Sequence, residues 1–421
     1  ARRPHAVKRG GDDVFFSALA CAIALSVAPA AVCAADVAVT FRVTLPAATP
    51  AGARVWLSGD LPALGAWNGA GLALAPAPGG RHDGVLRVPA GTRFEFKATR
   101  GGWDTVEKGT AGEEIGNRTL TARRDTTIAI TIAAWRDQVA GGGGGATAAR
   151  PTTLTGDVRR HAQFPSKFVK ARDVWVWLPP GYGADTARRY PVLYFHDGNN
   201  VFDRATSFLG VEWAVDETAE RLVKAATLPP FIAVAVANTG DRMAEYTPTA
   251  DPQHGGGRAA AYGRFLVEEL KPFVDSTYRS DPRPAATGVV GSSLGAIVSL
   301  WLGLEHPQAF TRIGVVSPAA WFAGGDLERR ASAATGAGLR VWIDIGTAEG
   351  SSVAGRRATV EGARAVRDAL LARGYREGTN LHYEEVEGAL HNEGAWAARV
   401  DRLLVFLLAD LPSPPGPVVA P

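Results

Sequence analysis

The chain has 421 residues, of which 46% are hydrophobic and 21% charged, and its formal net charge is +3. This length and apolar content are typical of a globular protein with two or three domains and a sizeable core. The small net charge and the lack of long runs of like charge argue against a partner such as nucleic acid or an anionic surface.

The first 34 residues have the pattern of a secretory signal peptide. Four basic residues lie among the first nine, an apolar run follows at 14–32, and residues 32–34 form a cleavage site. Asp12 and Asp13 are unusual directly before such a run. An uncleaved membrane anchor is the alternative, since the run is nearly long enough to span a bilayer. We expect cleavage, and a secreted or periplasmic protein with no membrane partner.

Both cysteines, Cys21 and Cys33, lie in this first segment. The cleaved chain would therefore contain neither a disulfide nor a free thiol. This excludes a cysteine nucleophile and a thiolate metal site. Lipid attachment at Cys33 is not expected, because Val32 rather than a small residue precedes it.

Five consecutive glycines at 141–145 divide the rest of the chain. Glycine has no side chain to pack and loses the most entropy on ordering, so such a run is typical of a flexible linker. We place the linker at 137–156, a first domain at 35–136 and a second at 157–411. The proline-rich tail at 412–421 is expected to be disordered.

The first domain is predicted to be all-β. Short segments at 37–43, 55–57, 94–97 and 127–131 alternate apolar and polar residues, and Gly/Pro-rich turns separate them. Short strands at this spacing indicate a small β-sandwich.

The second domain alternates strand and helix patterns. The predicted strands are 174–178, 191–195, 231–237, 287–290, 313–316, 341–345 and 381–386. Apolar residues recur at helical spacing over 262–274, 360–371 and 395–408. Strands that alternate with helices predict a mostly parallel, doubly wound sheet covered on both faces.

Residues 291–295 read GSSLG, between the predicted strand and a helix at 294–304. A G-x-S-x-G turn at a strand-to-helix junction projects the serine hydroxyl at the edge of the sheet. This register assigns Ser293, not Ser292, as the nucleophile.

A serine nucleophile needs a base and a group that orients the base. In a doubly wound hydrolase the chain order is serine, acid, histidine. His391 follows the last strand and is the candidate base, although a lone histidine is often only solvated or hydrogen-bonded in the core. Glu349 is favoured as the acid because it lies in the loop after strand 341–345. Asp344, inside that strand, is the second candidate, and a serine–histidine dyad is the alternative.

The oxyanion of an acyl-transfer intermediate needs preset N–H donors. One candidate is the backbone of Leu294, and the other is Asp197 or Gly198 in the loop after the strand ending at Phe195. His196 beside them is disfavoured as a metal ligand, since no second histidine or carboxylate cluster accompanies it at ligand spacing. We expect neither a metal nor a cofactor.

These blocks together resemble the esterase family of α/β-hydrolases that includes feruloyl, acetyl xylan and enterochelin esterases. The matching pieces are 174–182 (VWVWLPPGY), 194–198 (YFHDG), the 291–295 turn, Ser317-Pro318 and 391–396 (HNEGAW). The resemblance covers roughly 157–411. It implies an α/β-hydrolase fold with Ser293, His391 and Glu349 as catalytic residues, although related feruloyl esterases often have aspartate as the acid.

Arg242, Glu245 and Tyr246 match a family loop near the substrate pocket, so the resemblance implies a substrate-binding role for Arg242. A structural ion pair within that loop is the alternative. Trp213 and Trp321 are candidates for the wall of an acyl or sugar pocket, although aromatic residues are more often plain core.

The first domain resembles a starch-binding carbohydrate-binding module, through Leu57-Ser58-Gly59-Asp60, Leu64-Gly65-Ala66-Trp67 and Phe94-Glu95-Phe96-Lys97. The resemblance implies glucan contacts from Trp67 and Lys97. The second tryptophan of that family is replaced by Val106, with Trp103 three residues earlier. The alternative is a domain with no glycan ligand.

The expected function is that of an exported serine ester hydrolase that acts on a small-molecule or polysaccharide ester, such as a carbohydrate-linked acetyl or feruloyl group. A periplasmic siderophore esterase is the alternative in the same class. A glycan-binding protein with an inactive hydrolase domain is the alternative of another class, and acyl transfer in place of hydrolysis stays open.

Overall fold

The computed structural model describes residues 35–411 apart from 68, 103–104, 111, 113–114, 139–150, 208–209, 253, 337 and 351–352. The predicted signal peptide, the glycine run and the tail at 412–421 lie outside the described residues. Within the described part of the chain, no helix is both long enough and apolar enough to cross a membrane.

The N-terminal region is rich in β-structure, as predicted. Its strands are β1 Asp36–Thr44, β2 Val55–Gly59, β3 Leu72–Ala77, β4 Arg81–Pro89, β5 Thr92–Thr99, β6 Glu107–Lys108, β7 Arg118–Ala122, β8 Thr126–Thr131 and β9 Ala134–Trp135. Seven of them are hydrogen-bonded in the order β7-β5-β2-β3-β4-β1-β8, and β6 pairs with β9. Alternate residues of β1 are buried, and Phe41 packs edge-on against Phe94 and Phe96 in the core of this region.

The C-terminal region alternates strands and helices. Its strands are β10 Asp157–Phe164, β11 Arg172–Leu178, β12 Val192–Phe195, β13 Ile232–Val236, β14 Ala250–Asp251, β15 Gly255–Gly256, β16 Thr287–Ser292, β17 Arg312–Val316, β18 Arg340–Gly346 and β19 Leu381–Val386. Its helices are α1 Val215–Lys224, α2 Arg242–Glu245, α3 Ala259–Arg264, α4 Lys271–Thr277, α5 Leu294–Glu305, α6 Asp326–Ser332, α7 Val353–Leu371, α8 Glu393–Ala397 and α9 Val400–Leu408. A π-helical segment, Phe265–Leu270, joins α3 to α4.

Eight strands form the central sheet in the order β10-β11-β13-β12-β16-β17-β18-β19. The β10–β11 and β11–β13 pairs are antiparallel, and all other neighbours are parallel. The sheet is therefore mostly parallel, as predicted. Because parallel strands end at the same edge, the loops that follow β12, β16, β17, β18 and β19 all lie at one edge of the sheet.

Both faces of this sheet are covered, which explains why its strands are apolar without alternation. Val192 and Tyr194 of β12 belong to the apolar cluster that includes the residues of α5. The intervening Leu193 and Phe195 belong to the opposite cluster, with α1 and α9. The edge strand β10 is polar and largely exposed, and the sequence pattern did not predict it.

Candidate active site

Ser293 occupies the turn between β16 and α5. Its backbone lies at φ 57° and ψ −115°, a conformation that costs free energy for a residue with a side chain and that is typical of a nucleophile elbow. The Ser293 N–H donates to the carbonyl oxygen of Val316 at 3.0 Å. The side chain is half-buried, whereas Ser292 is buried.

The first glycine of the motif is required by a close contact. A Cβ on Gly291 would lie 2.7 Å from the carbonyl of Gly295, so the strand and the helix approach each other only because Gly291 lacks a side chain. A Cβ on Gly295 would lie 3.5 Å from the Cβ of His196 and 3.6 Å from Oδ2 of Asp197. The elbow therefore packs directly against the loop that follows β12.

Glu349 and His391 are paired, as the sequence predicted for a base and its orienting acid. The Nδ1 atom of His391 lies 2.8 Å from Oε2 of Glu349. Glu349 is buried, and its other oxygen accepts hydrogen bonds from Gly346 N–H, at 2.8 Å, and from the Ser317 hydroxyl. Burial alone would raise the pKa of Glu349, but these three hydrogen bonds hold it below its ordinary value.

An ionised Glu349 keeps the proton of a neutral His391 on Nδ1, which leaves Nε2 as a proton acceptor. His391 is exposed at the edge of the sheet. Among the described residues, no hydrogen bond joins the Ser293 hydroxyl to His391, although both lie at the same edge of the sheet, after β16 and β19. The Ser293–His391 contact that catalysis needs therefore stays a prediction.

The second candidate acid, Asp344, is committed to other partners. Its Oδ1 lies 2.9 Å from Nη2 of Arg399, and its Oδ2 accepts from the Trp342 indole at 2.6 Å. Burial raises the pKa of Asp344 to about 6 despite the nearby Arg399. Among the described residues, Glu349 and not Asp344 contacts the histidine.

Arg399 links the two carboxylates, and sequence reasoning missed it. This buried side chain lies 3.5 Å from Oε1 of Glu349 as well as against Asp344. The Ser317 hydroxyl accepts from Arg399 and from the Trp396 indole while it donates to Glu349. Arg399 and Arg402 both lie in the predicted 395–408 helix, and the sequence gives no signal that the first of them reaches a catalytic loop.

The oxyanion-hole candidates lie where two loops meet. Leu294 begins α5, where backbone N–H groups lack intrahelical acceptors. Asp197 has φ 53°, and its N–H donates to the Tyr246 hydroxyl at 2.9 Å. The N–H of Asp197 is thus occupied, whereas Gly198 begins a short 3-10 turn and has no acceptor within that turn. This arrangement favours Gly198 over Asp197.

Arg242 holds the Asp197 side chain. Its Nε and Nη2 donate to the two oxygens of Asp197 at 2.6 and 2.7 Å, and Asn238 donates to the same carboxylate. Burial alone would raise the pKa of Asp197, but Arg242 keeps it lowered. Glu245 pairs instead with buried Arg172. The ion pair of Arg242 therefore ties α2 to the oxyanion loop, and its substrate-binding role stays a prediction.

His196 packs between aromatic rings. Its Nδ1 lies 2.9 Å from the Tyr262 hydroxyl, and its ring lies 5.4 Å from that of Tyr246. Burial lowers the pKa of His196 to about 3, so the ring is neutral. These contacts indicate that His196 has a structural role and packs against Tyr246 and Tyr262 under the loop that follows β12.

The two tryptophans predicted to wall the pocket differ in their surroundings. Trp321 is 53% exposed and packs edge-on against His254, so it is available to a ligand. Trp213 is only 5% exposed and lies in the core. Its ring contacts Trp396, which in turn lies edge-on to His391 at 5.1 Å. Trp213 thus supports the site through Trp396 and does not form the pocket wall that the sequence predicted.

The predicted glycan-binding residues receive less support. Lys97 lies in β5 and is 1% exposed, and strand alternation places its side chain on the face opposite to the core residues Phe94 and Phe96. The expected glycan contact of its ammonium group therefore stays a prediction. Trp103 and the side chain of Trp67 lie outside the described residues. Val106 is buried.

Comparison with known proteins matches each of the two regions to a family. Residues 166–407 match the family described as "Putative esterase", and residues 36–130 match the "Starch binding domain" family. The uncharacterized protein YbbA of Bacillus subtilis (strain 168) is 24% identical over 224 residues, which cover 52% of this chain and 84% of YbbA.

Two other relatives match smaller parts of the chain. Ferri-bacillibactin esterase BesA of Bacillus subtilis (strain 168) is 29% identical over 147 residues, 31% of this chain and 47% of BesA. An α-amylase of Niallia circulans is 43% identical over 103 residues, 24% of this chain but only 8% of the amylase. Because the esterase match spans more than half of the chain, the protein belongs to this esterase family and is a carboxylic ester hydrolase with an N-terminal region of the starch-binding type.

Proposed function

We propose that the protein hydrolyses carboxylic esters through an acyl-enzyme on Ser293. The observation that carries this proposal is the 2.8 Å contact between His391 and buried, ionised Glu349, at the sheet edge where the elbow presents Ser293. In this arrangement the imidazole has one nitrogen held by the acid and the other available for a proton.

The reaction then runs in two halves. The Ser293 oxygen attacks the ester carbonyl while Nε2 of His391 accepts its proton. The N–H groups of Leu294 and Gly198 donate to the resulting oxyanion. The bond to the alcohol breaks, and the alcohol oxygen takes the proton from His391. Water, deprotonated by the same nitrogen, attacks the acyl-enzyme. The bond between the acyl carbon and the Ser293 oxygen breaks, and that oxygen takes the proton back from His391 as the acid is released.

We propose an ester attached to a carbohydrate, acetyl or feruloyl, as the substrate. The support is the pairing of the esterase region with a region that matches a starch-binding domain. The exposed ring of Trp321, close after β17, offers an apolar face of the kind that sugar rings and aromatic acids stack on. An exported location would bring the enzyme to such a polymer, and sequencing the N-terminus of the protein recovered from the culture medium or periplasm tests it.

A siderophore ester is the second candidate, and the similarity to BesA favours it. A panel of acetylated xylan, methyl ferulate and enterobactin, assayed side by side with the full chain, separates the two. Faster turnover of the carbohydrate esters supports the proposal, whereas selective cleavage of enterobactin replaces it with the alternative. No cleavage of any ester, including p-nitrophenyl acetate, would indicate a glycan-binding protein with an inactive hydrolase domain.

A further inference from the structure

Three carboxylates that the proposed reaction does not use converge at the start of α1. One oxygen each of Glu212, Asp216 and Glu217 lies within 4.8 Å of the others. Glu212 is 5% exposed and Asp216 is fully buried. Like charges in such a place repel one another and lose their hydration, so the cluster requires a compensating group.

The protein satisfies only one oxygen of each of the two buried carboxylates. Oε1 of Glu212 accepts from the Thr153 hydroxyl at 2.8 Å and lies 3.4 Å from Arg204. Oδ2 of Asp216 accepts from Thr155 N–H at 2.7 Å. The remaining oxygens, Glu212 Oε2 and Asp216 Oδ1, are buried and accept no hydrogen bond from a described residue outside the cluster, and the same holds for Oε2 of Glu217.

We propose that Glu212, Asp216 and Glu217 bind a hard divalent cation of the size of Ca²⁺. Carboxylate oxygens are the ligands that such cations prefer, and Ca²⁺ takes them at about 2.3–2.6 Å. Opposite ligands of a Ca²⁺ ion are therefore up to about 5 Å apart, which accommodates the observed spread of the three oxygens. Among the ion pairs of the described residues, Arg204 is the one cation that reaches the cluster.

The bound cation would join two segments of the hydrolase region. Thr153 and Thr155 bring the segment before β10 to the cluster, and Thr152 and Thr153 also bond to Asp203. The residue after Glu212 is Trp213, whose N–H donates to the carbonyl of Asn200 at 2.8 Å. Binding would therefore hold the loop that carries Trp213, which contacts His391 through Trp396, to the segment before β10.

The competing occupant is a proton shared between Asp216 and Glu217. Burial, together with a hydrogen bond to Glu217, raises the pKa of Asp216 well above its usual range. A cation displaces that proton and adds stability that grows with the logarithm of its concentration above Kd, whereas a proton alone makes the melting temperature depend on pH and not on Ca²⁺.

Calorimetric titration of the chelator-treated full chain with CaCl₂ tests the site. We expect one ion per chain, binding of Mg²⁺ weaker by about 10-fold or more, and a rise in Tm of about 5 °C at a 100-fold excess over Kd. Asp216→Asn and Glu212→Gln should abolish both the heat and the shift. Glu361→Gln, which removes a carboxylate from an exposed ion pair with Arg357, should leave both unchanged.

Two results would overturn the proposal. One is a wild-type protein with neither a binding heat nor a Ca²⁺-dependent Tm, which leaves protons as the occupants. The other is binding that persists in Asp216→Asn. Should a variant at the buried positions fail to fold, Glu217→Gln at the half-buried position gives the same readouts, and unchanged binding there would also reject the site. Equal affinity for Mg²⁺ and Ca²⁺ would contradict the proposed preference for an ion of the size of Ca²⁺.

Discussion

Asp197 and Arg242 form a two-pronged ion pair, with both carboxylate oxygens held at 2.6 and 2.7 Å. Because Asp197 lies next to Gly198 and near the elbow, this pair sets the shape of the oxyanion loop. We therefore expect Arg242 to act on catalysis by positioning the loop, whether or not it also touches a substrate.

Removing the guanidinium should impair turnover more than binding. For Arg242→Gln we expect kcat to fall about 10-fold or more, with a smaller change in KM, because the donors to the oxyanion act mainly in the transition state. Arg242→Lys should recover part of kcat, since a lysine contacts only one oxygen well. Arg264→Gln, in an exposed pair with Glu268, is the matched control. A rise in KM at constant kcat would instead assign Arg242 to substrate binding.

The neighbouring serines of the elbow provide a test of the nucleophile. We expect Ser293→Ala to lower kcat/KM for p-nitrophenyl acetate by about 10³-fold or more. Ser292→Ala, one residue earlier in the strand, should retain most of the activity because its side chain is buried. Activity that survives in the first variant and disappears in the second would reverse the register.

Replacing Glu349 with glutamine should lower kcat by about 10²-fold or more. A glutamine amide can donate to His391, which favours the tautomer with the proton on Nε2 and removes the acceptor. A rate within twofold of the wild type would mean that a serine–histidine dyad suffices.

The lowered pKa of Glu349 also predicts a dependence of stability on pH. A carboxyl group whose pKa is lower in the folded state stabilises the protein above its unfolded value, 4.5, and this contribution is lost as the pH falls through the folded value. The Tm difference between the wild type and Glu349→Gln should therefore be constant at neutral pH and shrink below about pH 4. Calorimetric scans from neutral to acidic pH measure it, and a difference that grows in acid would contradict the assignment.

Gly198 has no room for a side chain. An added Cβ would lie 2.4 Å from backbone atoms of Ala235 and Val236 in β13. We expect Gly198→Ala to cost about 3 kcal/mol or more of stability and to abolish activity, because the oxyanion loop must move. Gly240→Ala is the control, since nothing lies within 4 Å of its added Cβ. Urea unfolding of both variants measures the contrast, and equal stability would show that the loop yields easily.

Two substitutions in the N-terminal region can distinguish residues that bind glycan from residues, such as buried Lys97, that stabilise the fold. Retention of the full chain on insoluble starch should be lost in Trp67→Ala if this region binds glucan. Lys97→Met, which keeps the length of the side chain without the charge, should keep starch binding and change mainly the Tm. Loss of starch binding at an unchanged Tm in Lys97→Met would place the ammonium group at the ligand after all.

Sequence patterns predicted the C-terminal fold because burial on both faces gives continuous apolar strands. Each of the seven predicted strands matches a strand of the sheet, from β11 to β19. The exception is β10, whose polar residues lie at an exposed edge and give no such signal. Glu349, and not Asp344, is confirmed as the partner of His391. A side chain inside a strand points to a face of the sheet, whereas a residue in the loop that follows the strand lies at the edge of the sheet.

What the sequence did not predict are partners that come from distant segments. Arg399 reaches Glu349 across 50 positions, from the junction between α8 and α9, where Asp401 and Arg402 lie close by in sequence. Glu212, Asp216 and Glu217 are near in sequence, but acidic residues at a helix start are ordinarily solvated. Only the fold buries them and leaves their oxygens unmatched.

The edge-on contact between Trp396 and His391 gives the site its own optical reporter. An imidazolium ring quenches the emission of an adjacent indole more strongly than a neutral ring does, and these two rings lie 5.1 Å apart. The difference in fluorescence between the wild type and Trp396→Phe, followed across pH, would therefore record the charge of the histidine directly, before any ester is added.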